Sequence, residues 1–253
     1  MSKIFCFSST GNSLYVARRI AEALDAQVHS MSGGDDNAPV LLDDEVVGLV
    51  FPCYFFGLPR IVARFVRRLS ITNRAAYVFA VMTCGGPPVG ALGQLAQLLD
   101  DAGVGLAYGK RLMVVTNYLP EYQPQNSVAL VKRVDARLDG IIKDIKARKT
   151  NRVMPFMSLN KRIYAQYPGT DSDALFQVSD ACRGCATCRD ICPVGNIVMQ
   201  DGRPHFNHQC EHCLGCLHNC PYQAIDWNSK TQGKTRYRFS EITLDDLIEY
   251  KKA

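Results

Sequence analysis

Apolar positions in the first 150 residues switch repeatedly between short unbroken runs and runs spaced every three or four residues. The unbroken runs predict buried strands over Lys3 to Ser8, Glu45 to Pro52, Ala76 to Cys84 and Gly105 to Val115, the last with an interruption at Gly109. The helically spaced runs predict helices over Asn12 to Leu24, Leu58 to Leu69, Val89 to Leu99 and Asn126 to Arg148. In the last of these, Val131, Val134, Leu138, Ile141, Ile142 and Ile145 fall on one face, which must be buried. Ala26 to Met31 supplies an edge strand. Strands alternating with helices imply a parallel sheet covered on both faces, so the expected architecture is α/β, a doubly wound five-stranded parallel sheet over residues 1–149.

Beyond it the pattern changes. Residues 150–175 contain Phe156, Met157, Leu159, Ile163 and Tyr164, too apolar for a free tether, and are expected to pack as a linker. Residues 176–230 are dense in cysteine, and a tail over 231–253 ends in a short helix that Thr243 and Asp246 would cap reciprocally. The chain has 253 residues, about 180 more than the cysteine-rich part needs, enough for a full domain with its own core.

Charge adds a modest bias. Of the 29 basic residues, 17 precede residue 151 against 13 of the 24 acidic ones, so that half is +4 and the remainder +1. This balance, without clustered aromatics, does not point to nucleic acid; it points to acidic partners or anionic substrates. No apolar run approaches the roughly 18 residues that a membrane span needs. The opening MSKIFCF lacks a signal-like stretch, so the expected location is the cytoplasm.

Eight of the eleven cysteines stand in two runs, Cys182, Cys185, Cys188, Cys192 and then Cys210, Cys213, Cys216, Cys220, each reading CxxCxxCxxxCP and separated by a 28-residue repeat. Structural zinc sites favour two CxxC pairs with a spacer of roughly 15 to 20 residues, and disulfides would need an oxidising compartment. The double run resembles bacterial two-cluster ferredoxins. That resemblance implies a small α+β domain with two [4Fe-4S] clusters, the last cysteine of each run ligating the cluster of the other. One cluster would take Cys182, Cys185, Cys188 and Cys220; the other would take Cys210, Cys213, Cys216 and Cys192. His205, His208, His212 and His218 would then be surface or supporting groups.

In a doubly wound sheet, ligands sit at the carboxyl ends of the strands. The first such loop, Ser8, Ser9, Thr10, Gly11, Asn12 and Ser13, has small residues whose backbone N–H groups can surround an anion at a helix N-terminus. It has neither the lysine of a P-loop nor a GxGxxG pattern; an ordinary capped turn is the plain alternative. The loop resembles the phosphate loop of the flavodoxin family, [ST]xTGN[ST]. On that resemblance FMN is the expected cofactor, and two further loops would flank its ring: Pro52, Tyr54, Phe55, Phe56 and Gly57 after one core strand, and Thr83, Cys84, Gly85 and Gly86 after the next. The aromatic trio would otherwise be read as core. Residues 116–125 could cap the ring with Asn117, Tyr118 and Tyr122, or merely connect to the next helix.

The helix after the aromatic loop carries Arg60, Arg64, Arg67 and Arg68, either a solvated face or a docking face for an acidic redox protein. Cys6 reads as core; Cys53 and Cys84 lie in the flavin loops and read as small hydrophobes, with a redox role conceivable. As a whole the chain resembles flavodoxin/ferredoxin fusion proteins, which implies electron relay between an external redox partner, two clusters and FMN. The alternative is a flavin-dependent reductase of a small-molecule acceptor such as a quinone or nitro compound. A cavity walled by Tyr54, Phe56, Tyr118 and Tyr122 would favour the reductase, and an open edge ringed by arginines would favour the carrier.

Overall fold

The computed structural model describes residues 1–33, 38–86, 90–124 and 128–252, with no side-chain description for 128–130. Five parallel strands make the main sheet: β1 (Ser2–Cys6), β2 (Gln27–Ser30), β4 (Val46–Pro52), β6 (Tyr77–Cys84) and β7 (Tyr108–Met113), in the order β2-β1-β4-β6-β7. A small parallel pair, β3 (Val40–Leu42) with β5 (Leu69–Ile71), stands apart. Renumbered within the sheet, the order is 2-1-3-4-5, the flavodoxin-like doubly wound order. The strand order reverses between β1 and β4, so their carboxyl ends open a crevice there.

The strands are apolar throughout because both faces are covered. Even so, alternation within each strand divides the core in two. Ile4, Cys6, Val50, Phe79 and Val81 face α1 (Asn12–Leu24) and α4 (Val128–Lys146). Phe5, Phe7, Leu49, Phe51, Ala80 and Met82 face α2 (Arg60–Arg68) and α3 (Ala91–Asp101). In α4, Val134, Leu138, Ile141 and Ile145 lie in the first core cluster, with Val131 and Ile142 partly buried against it. Asn126, where the sequence pattern started this helix, lies outside the described residues.

Two boundaries shift for identifiable reasons. Helix α2 starts at Arg60 instead of Leu58, because Pro59 occupies the cap position with extended backbone, φ −54° and ψ 141°. Strand β7 runs through Gly109 without interruption. Its glycine lets the linker close over the sheet edge: Asn151 accepts from Gly109 N at 2.9 Å and donates to Gly109 O at 3.0 Å, covering an otherwise open ladder. The linker continues into α5 (Ser158–Tyr164).

The cysteine-rich part is built from β8 (Phe176–Val178) paired with β11 (Ile225–Trp227), a hairpin of β9 (Ile197–Gln200) and β10 (Arg203–Phe206), and two short helices, α6 (Thr187–Ile191) and α7 (Gly215–His218). The 28-residue sequence repeat is also a backbone repeat. Left-handed conformations recur at Gly184 and His212, at Ala186 and Leu214, and at Gly195 and Gln223. The thiols repeat too: Asn196 N donates to Cys192 Sγ at 3.2 Å and Ala224 N to Cys220 Sγ at 3.3 Å.

The tail packs into the first domain's core. Phe239, Ile242, Leu247 and Tyr250 join the cluster of α1 and α4, and the terminal helix α8 (Leu244–Lys252) lies beside β2. Among the described residues no helix is long and apolar enough to cross a membrane.

Candidate functional site

The crevice is a cavity of about 460 Å³, within the range of small-molecule and cofactor sites. Its walls bring together Ser8, Ser9, Thr10, Asn12 and Ser13 of the first loop, Pro52, Tyr54, Phe55 and Phe56 of the second, and Thr83, Cys84, Gly85 and Gly86 of the third. Asn117, Tyr118 and Tyr122 complete the predicted set, Cys53 and Glu121 join them, and Pro87, Pro88 and Gln125 lie outside the described residues. Gly11 and Gly57 stand behind the walls and make room for other elements. Gly11, at φ 97°, caps α1, and a β-carbon there would lie 3.0 Å from Ile242 Cβ and 3.1 Å from Phe239 Cβ. Gly57 leaves space for the Tyr164 ring, whose hydroxyl donates to Leu58 O at 2.6 Å.

The first loop is buried yet rich in unspent donors. Gly11 N donates to Ser8 Oγ and Ser8 N to Tyr250 Oη. Among the described residues nothing accepts from the backbone N–H of Ser9, Thr10, Asn12 or Ser13. Buried N–H groups are almost always paired, so four of them at the start of a 13-residue helix suit an oxyanion. The loop's carbonyls and side chains are held from outside: Phe239 N donates to Thr10 O, Tyr237 Oη to Asn12 Oδ1 at 2.7 Å, and Asn117 Nδ2 to Thr10 Oγ1 at 2.6 Å.

The aromatic loop is a two-residue hairpin, with Tyr54 and Gly57 exchanging both backbone hydrogen bonds and Phe55 and Phe56 both left-handed, at φ 46° and 64°. Such a turn normally selects Asn-Gly. The strain is compensated by ring contacts: Phe55 stacks on Tyr167 with centroids 5.4 Å apart and meets Tyr118 edge-on at 5.3 Å. Cys53 and Cys84 are thiols that burial raises, to about 12 and about 11, so neither is a ready nucleophile.

The cysteines gather in two small pockets. One is lined by Cys192, Cys210, Cys213 and Cys216, the other by Cys182, Cys185, Cys188 and Cys220. Cys213 and Cys216 are pushed well up, first by burial and then by the neighbouring cysteines. As a donor set these sulfurs fit a cationic metal core, which would hold them deprotonated, although among the described residues no three of them are already placed to hold a metal ion. The N–H bonds to Cys192, Cys220 and, from His212, to Cys210 Sγ at 3.2 Å are of the kind that stabilise cluster thiolates.

Two of the arginines read as an exposed face are turned inward. Arg60 donates to Pro168 O and Cys210 O and lies 4.0 Å over the Tyr167 ring; Arg64 pairs with Glu211 at 3.5 Å. Arg67 is exposed, and Arg68 donates to Ala38 O. The face is therefore a joint between α2 and the cysteine-rich part. Glu211 is at its centre, accepting also from Ile61 N and Tyr167 Oη; burial raises its carboxyl despite these donors. His212 and His218 are core groups, not surface ones, and burial lowers both to about 4.

Sequence reading missed Tyr167, Tyr237 and Tyr250, which touch cavity-wall residues from more than 100 positions away, and Glu211, which holds Tyr167. The apolar linker over 150–175, which contains Tyr167, was the one available signal.

No protein-family model and no curated protein matches the chain. Solved flavoproteins align with part of it. The flavodoxin of Megasphaera elsdenii is 17% identical over 44% of this chain and 85% of its own, with a TM-score of 0.35. An FMN-dependent NADH-azoreductase of Bacillus anthracis is 8% identical over 57% of this chain and 98% of its own, with a TM-score of 0.40. The fold assignment rests on strand order, not on these overlaps.

Proposed function

We propose that the protein is an iron-sulfur flavoprotein that relays electrons between an external redox partner, two [4Fe-4S] clusters and FMN. When bound, the clusters would carry single electrons and the flavin could hold two. One observation carries the reading: the cavity and the pocket of Cys192, Cys210, Cys213 and Cys216 share wall residues, Cys213 and Leu214. Ser9 spans the same boundary, its Oγ donating to Cys213 O at 3.1 Å while its carbonyl accepts from Asn219 Nδ2 at 3.1 Å. The second cysteine pocket shares no wall with the cavity, so it is the outer station.

The chain's own residues divide the remaining work. The first loop offers backbone donors to the FMN phosphate, the two strained phenylalanines and Tyr118 enclose the ring, and Gly85 permits close backbone approach beside Thr116.

A second reading, reduction of a small molecule at the flavin, has its own support. The cavity is walled by Tyr54, Phe56, Tyr118 and Tyr122, and among the described residues no arginine lines it.

Anaerobic purification with iron, sulfide and FMN counted per chain tests the cofactor content. About eight irons and one FMN are expected; four irons, zinc or no flavin would overturn the relay.

A further inference from the structure

The chain is basic, with a formal charge of +5, yet its main cavity is not. Among the described residues no lysine or arginine lines it, and the one carboxylate among the lining residues, Glu121, is exposed at its rim with Gln166 and the half-exposed Tyr122. In the sequence, residues 87–89 and 125–127, which adjoin the third loop and the capping loop, include no charged residue. Of the nearby cations, Arg60 and Arg64 are committed to the α2 joint and Lys234 to the carbonyls of Leu119 and Pro120 at 2.7 and 3.3 Å, while Arg111, exposed on β7, acts on the wall residue Cys84 through its charge without lining the cavity.

The one place provided for negative charge is the first loop, whose free N–H groups the FMN phosphate would use. A second anion entering over the aromatic walls would shed its water and find no donor of positive charge, a cost paid at contact range. The attraction of the basic surface acts through solvent and is damped beyond about 8 Å at physiological salt.

Building on the FMN reading, we propose that the small molecule admitted at the mouth is an uncharged planar aromatic, for which a naphthoquinone serves as probe, and that Glu121 together with the cation-free walls rejects its anionic analogues. Tyr122 supplies an apolar ring face at the rim, and Glu121 places a carboxylate where a sulfonate or carboxylate substituent would have to pass.

The test uses the full-length, cofactor-loaded protein, oxidised, with equilibrium binding of 1,4-naphthoquinone and of its 2-sulfonate at about 0.15 M salt. The sulfonate is expected to bind at least about tenfold more weakly. Glu121→Lys should narrow that gap by tightening the sulfonate while leaving the parent quinone within about twofold, and Glu121→Gln should fall between the two. Equal binding of both probes, a gap unmoved by Glu121→Lys, or no binding of either quinone would overturn the inference. Flavin content, measured on the same samples, keeps the two ideas separate. Protein without FMN overturns the cofactor reading itself, whereas protein with FMN and no discrimination overturns only the selectivity.

Discussion

Lys251 shows how much one distant residue can bring to the site. Its ammonium donates to Cys192 O at 2.8 Å and to Asp190 O, and burial lowers its pKa. A positive charge beside a cluster ligand favours the reduced, more negative state. Under the proposed relay, Lys251→Met should therefore lower the potential of the cluster assigned to Cys192 by an amount on the order of tens of millivolts. Potentiometric titration followed by electron paramagnetic resonance reads this, with the other cluster as internal reference; an unmoved potential would show that the lysine serves packing alone. Gly11 makes the complementary case from the flavin side. At φ 97° it has a backbone that a β-carbon strains, and a β-carbon there would press on Phe239 and Ile242 at 3.0 to 3.2 Å. Gly11→Ala should weaken FMN binding at least about tenfold and lower Tm by several degrees, since strain and clash each cost on the order of 1 kcal/mol or more. Fluorescence titration of released flavin measures the first and thermal unfolding the second. The spacing of Ser8 to Ser13 was legible as a loop; that Gly11 faces the tail was not, because its neighbours lie more than 220 residues on.

At the scale of elements, the sequence disclosed what is periodic and local. The five sheet strands and their helices follow from apolar runs, and the cap of α8 from a Thr and an Asp three apart: Thr243 N donates to Asp246 Oδ2 at 2.8 Å and Asp246 N to Thr243 Oγ1 at 3.1 Å. What stayed hidden was where that helix docks, because a nine-residue amphipathic segment fits many faces equally well. Its position gives the cap a measurable role. Hydrogen bonds from Thr243, then the Arg18 charge, lower the Asp246 carboxyl from 3.8 to about 2. A carboxylate with a depressed folded pKa stabilises above its unfolded value, and that stability is lost as pH falls toward the folded one. Asp246→Asn should thus lower Tm at neutral pH, and the difference from the unsubstituted protein should shrink between about pH 4 and pH 2. Comparing the two proteins at each pH cancels whatever acid does to both; a difference independent of pH would mean that the carboxylate's charge contributes nothing.

At the scale of the whole molecule, the helix bearing Arg60 and Arg64 illustrates why charge patterns on a single element mislead. An amphipathic helix with arginines opposite its apolar stripe looks solvated, but here the polar stripe is the seat of a second folded part, with Glu211 buried between Ile61 N, Tyr167 and Arg64. Only the packing of two modules makes that visible. The same packing gives meaning to the last cysteine of each run. Cys192 stands with Cys210, Cys213 and Cys216, and Cys220 with Cys182, Cys185 and Cys188, so each run closes a pocket that the other begins. Cys192→Ser should then remove the same spectroscopic signature as Cys213→Ser, and Cys220→Ser the same as Cys185→Ser, each leaving about half the iron. If Cys192→Ser instead matched Cys185→Ser, each run would serve its own cluster. The pocket beside the cavity would then draw on the second run alone, and loss of Cys192 would leave flavin reduction through Cys213 intact. Because Cys213 and Leu214 wall both sites, the interlocked arrangement predicts the opposite: a substitution at Cys192 slows flavin reduction by an external one-electron donor as severely as one at Cys213, although Cys192 lines no part of the cavity.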